Sequence, residues 1–404
     1  VASTSAAARP ATVRTAGDVE ALLRAHPEVA DAAVTLHERP GGGRRVLAYV
    51  VPRGGAGSGD GTPPAWWHEE AAGHFDALYA SAAADAGPDG ATDEAFGRWS
   101  GIADIAEQSE DFYVPTVAAL GALAPRRVLE LGCGTGRILR PLAPACEAYW
   151  GTDVSPAVVA QLARDVAADG LAHVTLLARA AEDLSGIPTG HFDLVVLNSV
   201  AQYFPGVDYL RLVLERAAAA LRPGGRIFVG DVQSFTLRLQ HQWWAQRDRL
   251  AGDLPAARAH EQLARKAAET AEFIVDPSVF AALAGALPGG WRCEVQLRRG
   301  RFMNEPTRFH YDVLLRPASE AASPTRWREL VPAAPTLDAL AAALAGTTLG
   351  DDEGCVVRGM PNARLVAEAR GVALLASAPA RTVAWIREAA GAGDAGIDPE
   401  AVHA

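Results

Sequence analysis

Short runs of apolar residues alternate with helical patterns along the middle of the chain. Each run is almost wholly apolar, and the stretch after it carries apolar residues every three or four positions. Such runs are typical of parallel strands covered on both faces, and the stretches between them of the covering helices. The alternation therefore predicts a doubly wound α/β sheet. Its strands are expected at 127–130, 148–152, 174–178, 192–197 and 225–229.

Two further apolar strands follow later and depart from this alternation. They span 291–298 and 307–315, and Gly300 lies in the turn between them. Two strands joined in this way predict an antiparallel hairpin. If the strand at 291–298 runs parallel to the earlier strands, the hairpin tip at 299–305 returns to the carboxyl edge of the sheet. Ligands bind at that edge in folds of this class.

A small αβ unit precedes the sheet. An amphipathic helix begins near Asp18, and two strands are expected at 29–36 and 45–51. This unit occupies 1–52. Residues 53–64 are rich in Gly, Ser and Pro, which is the composition of a flexible linker.

The main domain is expected over 65–316, followed by an α/β extension over 317–404. Helices are predicted at 66–84 and 107–123, before the first sheet strand. A polar, Arg-rich helical insertion at 233–271 follows the fifth strand, so it begins at the ligand edge of the sheet. A helical segment in that place is expected to act as a lid.

The most informative motif is the turn V-L-E-L-G-C-G-T-G at 128–136. Gly132, Gly134 and Gly136 stand at alternate positions, where backbone must turn sharply or approach a ligand closely. The spacing differs from the dinucleotide G-x-G-x-x-G, and no Lys-Ser/Thr pair follows as in a P-loop. A strand, a glycine-rich turn and a helix in this order predict a site for an adenosine-containing cofactor.

Polar residues follow the other strands at the same edge of the sheet. Asp153 ends the second strand, and its carboxylate is suited to bind both ribose hydroxyls. Capping the next helix is an alternative role for Asp153. Glu182 and Asp183 follow the third strand, Asn198 the fourth and Asp231 the fifth.

Longer motifs carry a resemblance to a known family. With the glycine turn, they resemble the S-adenosylmethionine-dependent methyltransferase domains that are embedded in nonribosomal peptide synthetases, from about Trp66 to Ala404. These motifs are V-L-N-S-V-A-Q-Y-F-P-G-V-D-Y-L (196–210), L-R-P-G-G-R-I-F-V-G-D-V-Q-S (221–234), N-E-P-T-R-F-H-Y-D-V-L-L (304–315) and V-R-G-M-P-N-A-R-L (357–365).

The resemblance implies a fold and a cofactor. The fold is the class I methyltransferase fold, a doubly wound seven-stranded sheet with a helical lid, and the cofactor is S-adenosylmethionine. The family places contacts to the adenine amino group after the third strand, although a solvated acidic turn is an alternative there. The residues implied to bind the cofactor are Glu130, Gly132, Cys133, Gly134, Gly136, Asp153, Val154, Glu182, Asp183 and Asn198.

The unit at 1–52 resembles part of the small C-terminal subdomain of synthetase adenylation domains. The N-G-K motif with the adenylation lysine is absent. The resemblance therefore implies a docking fragment without adenylation activity, next to the place where such methyltransferase domains are inserted. The implied partners are an adjoining adenylation domain or other synthetase modules, and a carrier protein that bears an aminoacyl thioester.

We expect N-methylation of the α-amine of that aminoacyl group. An α-amine has a pKa near about 8, so a weak hydrogen-bond acceptor suffices and a strong base is unnecessary. The candidates at the active edge are Tyr203, Asp231, Asn304 and Glu305. Residues 99–104 depart from the family pattern. They lack the W-x-S-S-Y-x-G-x-P-I stretch that N-methylating members usually carry.

Three alternatives stay open. The chain could methylate a Cα or side-chain atom, or it could be a methyltransferase-like epimerase. Epimerisation needs a base at Cα, for which His241 and Glu305 are the candidates. A non-catalytic structural module is the third alternative, although such a module has no need of a ligand-shaped turn.

Composition narrows the partners further. The net charge is −11, which argues against nucleic acid as a partner because that binding requires a basic face. The four cysteines form no C-x-x-C pair, so neither a zinc site nor a disulfide framework is indicated. No apolar run reaches the length of a membrane span, and no secretion signal opens the sequence. We therefore expect a cytoplasmic protein without a membrane partner.

Overall fold

The computed structural model divides into two compact units, Val1–Ala65 and Trp66–Ala404. It describes residues 16–26, 29–38, 44–52, 61–64, 66–81, 105–270, 272–319, 326–350, 353–392 and 396–403. Most of the expected linker at 53–64 and the departing stretch at 99–104 lie outside the described residues.

The first unit contains one helix and a two-stranded antiparallel sheet. Val34 pairs with Ala48 in its register. The helix and both strands lie where the sequence predicts them. They are α1 (Ala16–Arg24), β1 (Val29–Glu38) and β2 (Arg44–Pro52).

The second unit is built around a seven-stranded sheet. Its order is β5-β4-β3-β6-β7-β9-β8. The strands are β3 (Arg127–Leu131), β4 (Ala148–Asp153), β5 (Val174–Ala178), β6 (Phe192–Asn198), β7 (Leu221–Gln233), β8 (Trp291–Leu297) and β9 (His310–Pro317). The helices before and between them are α2 (66–81), α3 (Ile105–Ala122), α4 (Leu139–Leu142), α5 (Pro156–Ala168), α6 (Val207–Ala220), α7 (Arg238–Gln246), α8 (Ala256–Ala268), α9 (Pro277–Ala286) and α10 (Glu305–Phe309).

The strand directions confirm the doubly wound sheet. Strands β3 to β7 are parallel, and β9 is antiparallel to both β7 and β8. The first hairpin strand, β8, therefore runs parallel to the others, as the sequence analysis required. Its tip returns to the carboxyl edge of the sheet.

The second hairpin strand was predicted to begin too early. Helix α10 occupies the first part of 307–315, and β9 starts only at His310. The side chain of Asn304 caps this helix by accepting the backbone N–H of Thr307 at 3.3 Å. Pro306 stands in the first helical turn, where its fixed φ is compatible with a helix start.

The insertion at 233–271 forms two helices, α7 and α8. They pack on helices of the C-terminal extension, and Trp243, Leu263, Leu375 and Ile386 share one buried apolar cluster. The insertion and the extension thus form one helical layer. The elements of the extension are β10 (Arg326–Leu330), α11 (Leu337–Ala345), β11 (Glu353–Val357), α12 (Val366–Ser377), α13 (Val383–Gly391) and α14 (Pro399–His403).

The extension also holds the hairpin tip in place. The guanidinium of Arg364 is 1% exposed and donates to the backbone oxygens of Arg298 and Gly300, each at 2.8 Å. Arg364 belongs to the V-R-G-M-P-N-A-R-L motif, so that motif supports the active edge of the sheet. Within the described ranges, no helix is long and apolar enough to cross a membrane.

Candidate active site

Two adjoining cavities open at the carboxyl edge of the sheet. The one we call the glycine cavity lies against the glycine turn, and the aspartate cavity lies at the ends of β4 and β5. Phe75, Tyr79, Gly132, Ser199 and Tyr203 line both of them. One elongated ligand could therefore occupy the two cavities together.

The glycine turn brings backbone close to the cavities. Gly132 and Gly134 have φ values of 80° and 49°, which side chains rarely adopt. A β-carbon on Gly132 would stand 2.4 Å from Val200 Cγ2, and one on Gly134 would stand 3.1 Å from the Tyr79 hydroxyl. Cys133 lines the glycine cavity between them. The turn therefore admits no larger residue at either glycine without displacing its neighbours.

The structure gives Gly136 a different role. A β-carbon there would stand 2.5 Å from Leu162 Cδ1, so Gly136 allows the turn to pack against α5. It does not line either cavity. Gly136 is needed so that helix α5 can pack on the turn. The spacing of the glycines in the sequence does not distinguish this role from contact with a ligand.

Asp153 lies at the mouth of the aspartate cavity, with Val154 beside it. Its two carboxylate oxygens accept the backbone N–H groups of Gly134 and Ser155, each at 2.9 Å. Burial raises its pKa, and these N–H groups oppose that shift. The Val154 N–H also favours the ionised form. Ser155 is the N-cap of α5, accepting the Val158 N–H, so Asp153 does not cap that helix.

Glu130 lines the glycine cavity and is 3% exposed. Burial raises its pKa to about 8, although the hydrogen bond from the Tyr149 hydroxyl at 2.8 Å opposes the shift. The carboxyl group is therefore largely protonated at neutral pH in the free protein. A positively charged ligand group beside it would favour ionisation.

Arg137 is a residue of the glycine cavity that the sequence analysis did not single out. Its guanidinium donates to the Ser109 hydroxyl and lies 5.2 Å from the centre of the Tyr113 ring. A guanidinium suits recognition of a carboxylate. Its position directly after Gly136 was the signal available in the sequence.

The acidic pair after β5 lies behind the aspartate cavity. Glu182 is buried and accepts hydrogen bonds from His68, at 2.5 Å, and from the Tyr209 hydroxyl. Asp183 accepts the Ser185 N–H at 3.1 Å and pairs with Arg179. Neither acid lines a cavity.

Small residues replace the acids in the cavity wall. Ala180 and Ala181 line the aspartate cavity in the place where acidic contacts were expected. The side chain of Glu182 points to α2 and α6 because His68 and Tyr209 satisfy it there. Asp183 caps its own turn.

Helix α2 covers both cavities. Trp67, Phe75 and Tyr79 line them from this helix. Its Asp76 accepts hydrogen bonds from the Ser155 hydroxyl and, at 3.3 Å, from the Ala157 N–H at the start of α5. The lining residues include none from 233–271, so the lid role of that insertion stays a prediction.

A buried charged network adjoins the cavities behind Ser199. The Ser199 hydroxyl donates to Asp231 Oδ2 at 2.9 Å, and His310 Nδ1 donates to Asp231 Oδ1 at 2.7 Å. His310 Nε2 donates to Glu305 Oε1 at 2.8 Å. Arg298 Nε lies 3.7 Å from Asp231 Oδ1. Asp231 is 0% exposed and does not reach either cavity.

The charges in this network support each other. Burial lowers the pKa of His310, but the Glu305 and Asp231 carboxylates outweigh burial and raise it to about 10. Burial raises the pKa of Asp231, yet His310 and Arg298 hold it below its usual range. Glu305 behaves in the same way beside His310. The network therefore contains an imidazolium between two carboxylates at neutral pH.

Comparisons with known proteins agree with this architecture. A family model described as a methyltransferase domain matches residues 129–227. Chondramide synthase cmdD of Chondromyces crocatus is 34% identical over 91% of this chain and 10% of its own length. The probable non-canonical nonribosomal peptide synthetase CymA of Salinispora arenicola is 35% identical over 74% of this chain and 4% of its own length. The chain thus spans a tenth or less of these relatives.

The chain contains a methyltransferase domain. The resemblance to methyltransferase domains of nonribosomal peptide synthetases is confirmed by these relatives, and the methyl donor is S-adenosylmethionine. Among solved structures, the N-methyltransferase NodS of Bradyrhizobium japonicum in complex with S-adenosyl-L-homocysteine aligns with a TM-score of 0.40. The identity is 17% over 60% of this chain and 99% of that chain.

The residues of the methyltransferase fit this donor, which supplies an electrophilic methyl group on a sulfonium. Asp153 would accept hydrogen bonds from the ribose hydroxyls, and Glu130 would provide an anion to the methionine ammonium. Arg137 would pair with the methionine carboxylate. Gly132 and Gly134 provide the close approach of backbone that their absent β-carbons allow.

The expected catalytic residues of the methyltransferase take different places. Tyr203 lines both cavities, and its ring packs against Phe75 with centres 4.9 Å apart. Asn198 lines the glycine cavity. Asn304 serves as the cap of α10 and also donates to Gln108 at 3.1 Å. Asp231 and Glu305 belong to the charged network instead of the cavity wall.

Proposed function

We propose that this methyltransferase transfers the methyl group of S-adenosylmethionine to the α-amine of an aminoacyl group tethered to a carrier protein. The observation that carries the proposal is the pair of weak hydroxyl acceptors that line both cavities, Ser199 and Tyr203. An amine with a pKa of about 8 needs orientation more than deprotonation. The similarity to synthetases over most of the chain supports an aminoacyl thioester as the substrate.

The histidines of the network support an amine over a carbon acid. Abstraction of a Cα proton needs a base with a free lone pair. His310 donates through both nitrogens, to Asp231 and Glu305. His241 Nδ1 accepts from Gln233 Nε2 at 3.0 Å, and its Nε2 faces Glu305 at 3.6 Å. His310 therefore has no free nitrogen lone pair, and the lone pair of His241 Nδ1 is occupied by Gln233.

The low pKa values of the two carboxylates point in the same direction. Asp231 and Glu305 are held below their usual range by His310, so each is a weak base for a carbon acid. An epimerase or a Cα methyltransferase would require one of these groups to be freed. The proposal places the carrier protein and adjoining synthetase modules, the N-terminal fragment included, as partners that deliver the thioester.

Reconstitution tests the proposal. The chain is incubated with an aminoacyl carrier protein and S-adenosylmethionine, and the intact carrier is weighed by mass spectrometry. We expect the mass of one methyl group to be gained, and no gain when S-adenosylhomocysteine replaces the donor. A carrier of unchanged mass under conditions in which the chain binds S-adenosylmethionine would contradict the proposal.

A further inference from the structure

One hydroxyl group at the cavities has a fixed hydrogen-bonding state. Ser199 follows Asn198 directly after β6 and lines both the glycine cavity and the aspartate cavity. Its hydroxyl donates to Asp231 Oδ2 at 2.9 Å. An ionised carboxylate accepts hydrogen bonds and cannot donate. The proton of Ser199 is therefore committed to Asp231.

Asp231 is held in the ionised state that this arrangement needs. His310 Nδ1 donates to its other oxygen at 2.7 Å, and Arg298 Nε lies 3.7 Å away. Both cations are themselves fixed, because His310 also bonds Glu305 and Arg298 also bonds Asp312 at 3.0 Å. The anion at Asp231 is thus part of a buried group in which each cation lies between two carboxylates.

The Ser199 hydroxyl has acceptor capacity beyond its bond to Asp231. Asn198 Nδ2 donates to Ser199 Oγ at 3.0 Å and occupies one lone pair. The second lone pair remains as an acceptor at the wall of the cavities. A hydroxyl that donates to an anion is a stronger acceptor, because hydrogen bonds in a chain polarise one another.

The backbone conformation indicates that these side chains are needed. Ser199 has a φ of 59°, which costs about 1–2 kcal/mol in a serine. Asp231 has a φ of 63°, which aspartate adopts more readily than most residues. Among the described residues, Ala124 is the one other non-glycine residue with a positive φ. Glycine would relieve the strain at 199, and a strained residue in the wall of two cavities points to a functional side chain.

We propose that Ser199 is a catalytic residue that accepts a hydrogen bond from the N–H group of the methyl acceptor, and that Asp231 is the positioning residue that fixes Ser199 as the acceptor. The identity of the acceptor as an α-amine rests on the proposed function. The role of Ser199 extends to any acceptor that presents an N–H or O–H group at the transferring methyl.

The chemistry explains why such an acceptor accelerates transfer. The amine lone pair forms a bond to the methyl carbon while the bond from that carbon to sulfur breaks, and its electron pair returns to sulfur. The positive charge moves from sulfur to nitrogen, and the proton leaves afterwards to water. The hydrogen bond from N–H to Ser199 strengthens as nitrogen becomes positive, so it stabilises the transition state more than the ground state.

The test uses Ser199→Gly, with Ala124→Gly as the matched control. Both variants remove a strained non-glycine φ, but Ala124 lies outside the two cavities. Two ligands are compared by calorimetry. One is S-adenosylhomocysteine, and the other is sinefungin, an analogue with an ammonium group where the donor carries its methyl. We expect Ser199→Gly to weaken sinefungin roughly tenfold or more and to leave S-adenosylhomocysteine within about twofold.

Turnover on an aminoacyl pantetheine thioester is measured with the same proteins. We expect kcat of Ser199→Gly to fall roughly 10- to 100-fold, with little change in the KM for S-adenosylmethionine. If Ser199→Gly loses sinefungin binding selectively but the unaltered chain forms no N-methylated product, the role of Ser199 is supported and the proposed function is refuted. Unchanged sinefungin affinity in Ser199→Gly would overturn the role of Ser199.

Asp231→Asn tests the positioning role, since asparagine tolerates a positive φ. An amide can donate to Ser199, which would turn the hydroxyl away from its acceptor state. We expect kcat to fall, and we expect the Ser199→Gly/Asp231→Asn double variant to be no slower than Ser199→Gly alone. Additive losses would show that Asp231 acts independently of Ser199.

Discussion

The hydroxyl of Tyr79 lies 3.1 Å from the point where a β-carbon on Gly134 would stand. Tyr79 belongs to α2, which covers the cavities, and Gly134 belongs to the turn that forms their floor. The Tyr79 hydroxyl is therefore close to the glycine backbone, and an added side chain at Gly134 would displace it.

Substitution of Gly134 should abolish cofactor binding. Gly134→Asp would strain the backbone at a φ of 49° and place a carboxylate at Tyr79. Gly186→Asp is the control, because its φ of 75° is equally unfavourable but its β-carbon would meet nothing within 4 Å. Calorimetry with S-adenosylhomocysteine should detect binding in the control alone. Equal affinities of the two variants would refute the cofactor role of the turn.

Binding of S-adenosylmethionine should release a proton from Glu130. The pKa of this buried carboxyl is raised to about 8, so at pH 7 it is mostly protonated in the free protein. The methionine ammonium favours the ionised form, and affinity should therefore rise with pH up to about 8. Calorimetry in two buffers of different ionisation enthalpy measures the release, which we expect to approach about one proton per ligand.

The Glu130→Gln variant supplies the comparison. It should bind the ligand more weakly and with little proton release, whereas Glu147→Gln, at an exposed ion pair with Arg126, should release as many protons as the unaltered chain. Proton release that persists undiminished in Glu130→Gln would assign the titration to another group.

His310 should contribute to stability in a defined pH range. Its folded pKa, raised to about 10 by Glu305 and Asp231, exceeds the unfolded value of about 6.5. Its contribution is therefore complete below the unfolded pKa and is lost as pH rises through about 10. His310→Gln leaves the two carboxylates without their shared cation and should cost about 3–5 kcal/mol near neutral pH.

Urea unfolding at several pH values measures this contribution. The difference in unfolding free energy between the unaltered chain and His310→Gln should shrink as pH approaches about 10. His260→Gln, on α8 and away from the network, should cost little at any pH. If the difference in unfolding free energy between the unaltered chain and His310→Gln does not depend on pH, His310 is not the imidazolium that stabilises the network.

The His68–Glu182 contact should slow release of the cofactor product. It ties α2 to the segment after β5, and α2 lines both cavities, so we expect its movement to govern release. His68→Ala should therefore speed dissociation of S-adenosylhomocysteine roughly tenfold. Glu70→Ala, at an exposed position on the same helix, should leave the rate unchanged. Stopped-flow fluorescence of the α2 tryptophans measures the dissociation rate. Equal rates for the two variants would show that the His68–Glu182 contact does not slow dissociation.

The sheet was predictable because each parallel strand is covered on both faces and leaves a nearly apolar run. Val128, Val195 and Val229, on three of the predicted strands, are all fully buried. The glycine turn was equally predictable, because its backbone geometry requires glycine at particular positions. The start of β9 was predicted wrongly because the cap at Asn304 and the proline after it outweigh the apolar pattern.

The hydrophobic pattern of the sequence does not predict contacts between side chains that are distant along the chain. Glu182 follows the third strand as an adenine contact would, but His68, more than a hundred residues earlier, turns it away from the cavity. Asp231 stands at the expected edge, yet His310 and Arg298 bury it. Ser199 went unnoticed because its signal is a positive φ, which the sequence does not display.

The proposed reaction transfers a methyl group from S-adenosylmethionine to an α-amine. The most direct measurement is tandem mass spectrometry of an aminoacyl pantetheine thioester after incubation with the chain and trideuteromethyl-labelled donor in heavy water. We expect one trideuteromethyl group on the α-nitrogen and no deuterium at Cα. The label on carbon or on a side-chain heteroatom, or Cα deuterium without any transferred methyl, would contradict it.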